Sequence, residues 1–278
     1  MATDSARLGA VFPAPRATAT IRARRASFLA DLWSVAIRAL RALPREPEMV
    51  LPALVIPVFF FAVNIGTLQD FAEKGIAGLD FRAFQLPTAI VFAVTGISRA
   101  HALVIDIQSG YFDRMLMTPM RRLSLLLGLM IADLALVIAL TLPVIALGLV
   151  FGVRFETGLP GFVLFVALSG LWGLAFTGFP YAIALKTGSP GAVGASFLLF
   201  FPFAFLTTAT LPREALTGWL DAIAGVNPMT YLLGALRSLL YDGWQPRTLL
   251  EGVAAILGVG VVSMSLALAA LRGRMARG

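Results

Sequence analysis

Long uninterrupted apolar segments are the dominant pattern in this chain. A helix needs about 20 apolar residues to cross the ~30 Å hydrocarbon core of a bilayer. Six segments meet this length, so the pattern predicts six transmembrane helices. The predicted spans cover Met49–Gln69, Phe84–Ile107, Leu123–Val153, Thr157–Leu185, Thr187–Pro212 and Gly252–Leu271.

Two further patterns precede the first span. Between Phe28 and Leu43 apolar residues recur at helical spacing while charged residues take the other faces, which predicts an amphipathic helix at the membrane surface. Residues 1–26 carry five Arg and no apolar periodicity, which indicates a disordered cationic tail. Residues 27–278 are then predicted to form a single transmembrane domain.

A helix start stands before the last span. Asn227 is a suitable N-cap, Pro228 suits the first helical position, and leucines at helical spacing continue the pattern to Arg237. Together with residues 212–225 this predicts two short re-entrant helices on the extracellular side. The predicted fold class is an all-α membrane protein with six spans, an N-terminal amphipathic helix and these re-entrant helices.

Composition agrees with a lipid environment. Hydrophobic residues make up 59% of the chain and charged residues 13%, against roughly 45–50% and 25% in a soluble domain. The chain has no Cys and one His, which excludes disulfides, Cys-based zinc sites and His-rich metal sites. A soluble enzyme is therefore excluded, and no metal site is predicted.

The positive charges indicate the orientation. Eight of the 22 Lys and Arg precede Met49, and three more close the chain at Arg272, Arg274 and Arg277. Cytoplasmic segments of membrane proteins carry such an excess. We therefore expect a multi-pass protein of the cell inner (plasma) membrane with both termini in the cytoplasm, and no nucleic-acid partner.

Apart from Asp106, at the end of the second span, Arg99, His101 and Asp133 fall inside predicted spans, where each charge costs roughly 2.5–3.5 kcal/mol on insertion scales. Arg99 and His101 lie in the second span and Asp133 in the third. We hypothesise that Arg99 pairs with Asp133, either to fix helix packing or as part of a polar pathway or gate. His101 is interpreted as a snorkelling residue, with a proton relay as the alternative.

Catalytic patterns are absent from the sequence. It has no G-x-S-x-G elbow, no H-E-x-x-H and no phosphate-binding loop, because Leu185 precedes Lys186 where such a loop needs a glycine. The chain is therefore not expected to be an enzyme or to hold a cofactor. If ATP drives the protein, a partner chain must bind the ATP and its Mg²⁺.

Two segments of the sequence carry a family likeness. The first lies in the loop after the second span and comprises Gly110, Tyr111, Phe112, Asp113 and Arg114, followed by Thr118, Pro119, Arg121 and Arg122. The second contains Trp219 and Leu220, then residues 227–231, then residues 235–237. Both segments resemble the type-2 ATP-binding-cassette permeases, the family that includes the daunorubicin-resistance permeases. With the six spans, the likeness covers about residues 28–271.

The resemblance implies a subunit assembly. In this family a permease pairs with a second permease subunit, as a homodimer or a heterodimer, and a short cytoplasmic helix of each seats in a separate ATPase. Residues 110–119 would be that ATPase-coupling segment. The chain departs from the family at Gln108 and Ser109, where a charged residue often precedes the coupling glycine.

These inferences define the predicted function. We expect a permease subunit of an ATP-driven exporter of apolar or amphipathic compounds, such as drug-like metabolites or lipids, with export implied by the resemblance alone. The alternatives are a stand-alone secondary carrier, coupled to ions through Arg99, His101 and Asp133, and a non-transporting membrane scaffold. The transported compound, the type of dimer and the pore-lining residues stay open from the sequence.

Overall fold

A computed structural model describes residues 28–42, 47–95, 97–117 and 122–276. All regular structure in these ranges is helical, which confirms the all-α prediction. The α-helices are α1 Phe28–Ala42, α2 Pro47–Gly75, α3 Phe81–Val94, α4 Ala100–Gln108, α5 Tyr111–Leu116, α6 Arg122–Val150, α7 Gly158–Thr187, α8 Pro190–Ala195, α9 Phe200–Phe205, α10 Trp219–Val226, α11 Pro228–Arg237 and α12 Pro246–Met275.

In the described part of the chain, four helices are long and apolar enough to cross a membrane. The shortest of the four apolar stretches has 25 residues, which corresponds to about 38 Å of helix and exceeds the ~30 Å core. They match the predicted first, third, fourth and sixth spans. The stretches are Leu51–Gly75 in α2, Leu126–Val150 in α6, Gly158–Thr187 (α7) and Pro246–Met275 (α12).

The other two predicted spans are not single helices. The second contains two helices, since α3 ends at Val94 and α4 begins at Ala100, and α3 alone is too short to cross the core. The fifth is divided into α8, a 3₁₀ turn at Ser196–Leu199, and α9. α8 starts anew because Gly188 ends α7 in a left-handed conformation and Ser189 and Pro190 supply an N-cap and a first helical residue.

Two buried clusters lie at different levels of the helix bundle. The Trp172 cluster contains side chains of α2, α3, α9 and α11, while the Tyr181 cluster contains side chains of α1, α4, α5 and α8. α6, α7 and α12 contribute to both clusters, through opposite halves of each helix. The three long helices α6, α7 and α12 therefore run from one cluster to the other. Each short helix in the two clusters contributes to one of them only.

The amphipathic helix α1 packs along the start of α6. Val35, Ala36 and Ala39 are buried, and a Cβ on Gly128 would lie 2.7 Å from that of Val35, so only glycine permits this close approach. Leu29 and Trp33 instead remain exposed. The helix exists as predicted, and the face that packs on the bundle is centred on Val35.

Candidate functional site

The predicted coupling segment forms a tight helix–turn–helix after the divided span. Gly110 stands between α4 and α5 with φ +69°, a left-handed conformation that glycine adopts without strain. Its N–H donates to the Ile107 carbonyl at 3.1 Å, and its own carbonyl accepts from the Arg114 N–H at 3.1 Å. The turn therefore joins α4 to α5 while keeping the Gly110 backbone groups paired.

Side chains of α5 hold this turn on the bundle. Phe112 is only 3% exposed and belongs to the Tyr181 cluster, whereas Tyr111 and Met117 are 37% and 80% exposed. The Arg114 guanidinium donates back to the Gly110 carbonyl at 3.3 Å and to the Ser109 carbonyl at 3.5 Å. The Phe112 ring thus anchors α5 to the bundle, and the nearby side chains of Tyr111 and Met117 face outward.

The remaining two predicted members of the segment contribute less to this description. Asp113 lies within α5. Pro119 lies outside the described residues. The geometry of the segment consequently rests on the turn at Gly110 and on the α5 helix.

Arg38 of α1 connects three helices at this surface. Its guanidinium donates to the Asp106 carboxylate of α4 at 3.0 Å and lies 5.0 Å from the centroid of the Tyr111 ring of α5. Exposed ion pairs of this kind contribute about 0–1 kcal/mol to the stability of the fold. The contact therefore serves mainly to orient the Arg38 and Tyr111 side chains. Arg38 was not identified from the sequence as a site residue, because its partner Asp106 lies 68 residues away in the chain.

Asp133 is the centre of a buried polar group inside the bundle. One of its carboxylate oxygens accepts the backbone N–H of Arg99 at 3.0 Å, and the other accepts the Tyr181 hydroxyl at 2.6 Å. All three residues are buried. Arg99 and Asp133 therefore lie together, and one contact between them runs through the Arg99 main chain.

The break between α3 and α4 is held by side chains of α6 and α7. The hydroxyl of Thr95, where α3 ends, accepts the indole N–H of Trp172 at 2.8 Å. The N–H of Arg99, where α4 begins, donates to Asp133. Irregular backbone at membrane depth is tolerated only where protein groups satisfy it. The Asp133 carboxylate does so for the Arg99 N–H, while Trp172 holds the Thr95 side chain.

A cavity of about 300 Å³ opens beside the same break. His101 lies on its wall and is exposed, whereas Arg99 and Asp133 are buried. Of the three predicted intramembrane polar residues, His101 is the one on the wall of this cavity, whereas Arg99 lies on the wall of a smaller cavity of about 210 Å³ beside Arg38 and Asp106. The wall of the larger cavity includes Pro52, Ile56, Phe92, Thr95, Ser98 and Phe200.

Asn227 joins the ends of two helices near the other end of the bundle. Its side-chain oxygen accepts the Met229 N–H at 3.0 Å and so caps α11, with Pro228 in the first turn, as predicted. Its amide group donates to the carbonyls of Pro202, Phe203 and Leu206, at 3.3, 3.2 and 2.8 Å. One side chain therefore satisfies both the start of α11 and the end of α9.

Arg237 is buried at the end of α11. Its guanidinium donates to the Phe84 carbonyl at 3.1 Å and to the hydroxyls of Thr208 and Thr88, each at 3.2 Å. It also stacks on the Phe84 ring, 3.5 Å from the centroid. The sequence suggested an external loop charge, whereas the structure makes Arg237 the connection between α11, α3 and residues 206–211.

Tyr181, Trp172 and Thr95 were not identified from the sequence. A lone acid in a long apolar segment requires a donor, and buried Tyr and Trp usually find a polar partner. Those two signals were present in the sequence. The pairing was not, because Tyr181 lies 48 residues from Asp133 and Trp172 lies 77 residues from Thr95.

Comparison with known proteins agrees with this architecture. A family model described as "ABC-2 type transporter" matches residues 30–241. The chain belongs to the ABC-2 type transporter family. As a member of this family it is a multi-pass membrane protein and an ABC transporter permease, and the matched region contains both the coupling segment and α11.

Three proteins similar in sequence to this ABC-2 permease are themselves named as permeases, two of them as drug-resistance permeases. The chain is 26% identical to the daunorubicin resistance ABC transporter permease protein DrrB1 of Streptomyces coeruleorubidus, over 84% of this chain and 78% of that protein. It is 24% identical to the probable doxorubicin resistance ABC transporter permease protein DrrC of Mycobacterium tuberculosis, over 78% and 79%. It is 26% identical to the putative transport permease ycf38 of Cyanophora paradoxa, over 78% and 77%.

Proposed function

We propose that this chain is the permease subunit of an ATP-driven exporter of apolar or amphipathic compounds, and that a separate ATPase subunit binds the ATP and Mg²⁺. The observation that carries the proposal is the α4–Gly110–α5 unit. It is a short helix fixed to the bundle by Phe112 and linked to a membrane-embedded helix break by one further helix, α4. Such a unit can pass movement of an ATPase to the break.

The outward side of α5 is the proposed ATPase contact. Tyr111, Arg114 and Met117 are exposed there, and Arg38 fixes the Tyr111 ring from the α1 side. Family membership favours this ATP-driven function over the ion-coupled carrier considered from the sequence.

Six membrane crossings and cytoplasmic termini are part of the proposal. The divided segment α3–α4 runs from the Trp172 cluster to the Tyr181 cluster, and α8–α9 runs back. Each pair therefore runs between the same two levels of the bundle as a long helix does. The Tyr181 end also holds α1, α5 and the basic C-terminal turn of α12, which supports placing that end in the cytoplasm of the plasma membrane.

The cavity beside the break is the proposed cargo contact. Its wall is mainly apolar and includes Ile56, Phe92 and Phe200, while Thr95, Ser98 and His101 add a few polar atoms. Binding sites for drug-sized ligands have this composition. The names of the resistance permeases similar to this chain agree with such a cargo.

A second permease subunit and lipid would cover the apolar surface that the chain leaves open. Only 17% of the apolar window in α2 is buried, and Val55, Phe59 and Phe60 are exposed on it. We place the second subunit against α2, in a homodimer or a heterodimer. Leu29 and Trp33 of α1 are placed in lipid at the cytoplasmic surface.

A pair of glycine variants tests the proposal. Gly110→Ala forces Ala into a left-handed conformation at a cost of about 1–2 kcal/mol, and we expect loss of co-purification with the ATPase or loss of transport-coupled ATP hydrolysis. Gly78→Ala is the matched control, because Gly78 has φ +77° against +69° and a Cβ meets no atom within 4 Å at either site.

Equal effects of the two substitutions would contradict the assignment, because strain alone would then explain them. Normal assembly and coupling in Gly110→Ala would remove α5 as the ATPase contact.

A further inference from the structure

A second, polar cavity opens at the end of the bundle away from α5. It has a volume of about 260 Å³ and lies between α3, α11, α12 and the segment before α10. Trp219 and Trp244 are exposed at this end, which is the placement of an aromatic belt at the headgroup level of a bilayer. The wall includes Phe84, Thr208, Thr230, Arg237, Tyr241 and Glu251.

Arg237 brings a positive charge to this wall without a neighbouring carboxylate. Among the described residues no Asp or Glu oxygen lies within 4.0 Å of its guanidinium, and its three hydrogen bonds go to one carbonyl and two hydroxyls. A guanidinium has five N–H donors, so two remain available. A buried cation that lacks a counter-ion is costly, and an anion in the cavity would offset that cost.

The other charges of the cavity are already paired. Arg213 donates to Asp221 at 3.0 Å, and Glu251 accepts from Arg247 at 3.0 Å. The carboxylate of Glu251 is thus neutralised by its own partner. The charge that Arg237 brings to the cavity is the one that a ligand can complement.

Thr230 provides an independent observation that points to a ligand. It is only 9% exposed, lines the same cavity, and its hydroxyl has no hydrogen-bond partner within the described part of the chain. Buried hydroxyl groups are nearly always hydrogen-bonded, because an unmade bond leaves the desolvation penalty uncompensated. A ligand oxygen in the cavity would supply the missing partner.

We propose that this cavity is an oxyanion-binding site that takes a phosphate or carboxylate group. Arg237 donates charge-assisted N–H bonds to the ligand oxygens, and the Thr230 hydroxyl donates to one of them. Two sources share this chemistry, namely the headgroup of an anionic phospholipid and a free anion from the aqueous phase. The site is separate from the cargo cavity beside the helix break, with which it shares no lining residue.

The test measures thermal stabilisation of the purified full-length chain in detergent. One arm adds inorganic phosphate, with chloride at equal ionic strength as its control. The other adds mixed micelles containing phosphatidylglycerol, with diacylglycerol, which has no phosphate, as its control. A ligand of the folded state raises the melting temperature with its concentration, so each titration gives an affinity.

Thr230→Val is the deciding variant. It removes the hydroxyl but preserves the shape, and we expect the melting temperature without probe to be unchanged or higher because no hydrogen bond is lost. Affinity for the effective probe should fall about tenfold, as for a lost hydrogen bond to a charged group. Thr141→Val is the control for the same exchange at another buried site, since Thr141 lies in α6, away from the cavity. The Thr141 hydroxyl donates to the Val137 carbonyl at 2.8 Å, so this variant should lower the melting temperature without probe but leave the affinity for the probe unchanged.

The possible results distinguish the two sources of the ligand and also test whether the site exists. Stabilisation by phosphate alone, weakened in Thr230→Val, assigns a free anion, whereas stabilisation by phosphatidylglycerol with the same weakening assigns a lipid headgroup. Absence of stabilisation by both probes overturns the site. Equal affinities of Thr230→Val and the unaltered chain overturn it as well, because the binding would then lie elsewhere.

Discussion

Asp133 illustrates at the scale of one residue how a charge inside a membrane is accommodated. Its two oxygens take one backbone donor from α4 and one phenol from α7, so it links three helices. In this role the buried carboxylate acts as a hydrogen-bond acceptor that holds the helices together. Its contribution to stability depends on the donors that it satisfies. The same geometry offers a way to separate an acceptor from an ion-coupling site.

We expect Asp133→Asn to preserve most of the stability and the ATP-driven transport. The Asn oxygen can accept the Arg99 N–H, and its amide can donate to the Tyr181 oxygen. Asp133→Leu leaves two buried donors unsatisfied, which costs about 1–3 kcal/mol each. Thermal melting in detergent compares the two variants, with Tyr181→Phe as the control that removes one donor only.

A different result would favour the ion-coupled carrier. If Asp133→Asn folded normally but abolished transport, the ionisable proton and not the hydrogen-bond geometry would be the property that matters. Transport that then depended on a proton gradient would support that function directly.

At the scale of elements, the divided helices are the main difference from the sequence-based prediction. Length and apolar composition were enough to predict α2, α6, α7 and α12 from the sequence. The Asn227-Pro228 pair was enough to predict where α11 begins. The break after α3 was not predictable, because it is stabilised by Trp172 and Asp133, which are remote in the chain. A window of apolar residues looks the same whether distant side chains support a break or not.

The junction of α9 and α11 gives a prediction at this scale. Asp is as good an N-cap as Asn in general, yet Asn227→Asp should be destabilising here. The Asp oxygen keeps the cap, but the second oxygen would face the carbonyls of Pro202, Phe203 and Leu206, to which the Asn amide donates. We expect a loss of about 1–3 kcal/mol, more than an exposed cap would show.

Asp80 supplies the reciprocal control for this prediction. It caps α3 through one oxygen, which accepts the N–H groups of Arg82 and Ala83 at 3.1 Å each. Asp80→Asn keeps that oxygen and should change the melting temperature little. If both exchanges had the same effect, the amide of Asn227 would not be holding the end of α9.

At the scale of the whole molecule, the two clusters define two ends with different chemistry. One end carries the Gly110 turn, α1 and the basic end of α12, and the other carries Asn227, Arg237 and the oxyanion cavity. Positive charge in the sequence predicted which end faces the cytoplasm. It could not show that Arg237 is internal, since burial depends on Phe84, Thr88 and Thr208.

The number of crossings is open to a direct measurement, because the chain has no Cys and single cysteines can be labelled without background. The exposed positions Ala77, Ser109, Ala215 and Ala276 sample both ends of the bundle. With six crossings, an impermeant maleimide should label Ala77→Cys and Ala215→Cys in intact cells. Ser109→Cys and Ala276→Cys should react only after permeabilisation.

Ser109→Cys is the decisive position among these four. If only α2, α6, α7 and α12 crossed the bilayer, the segment between α2 and α6 would stay outside, and Ser109→Cys would be labelled in intact cells like Ala77→Cys. The α3–α4 pair must cross for residue 109 to be protected. Protection of this one cysteine, together with reaction at residue 77, thus places the Gly110 turn on the side where ATP is available, as the proposed coupling requires.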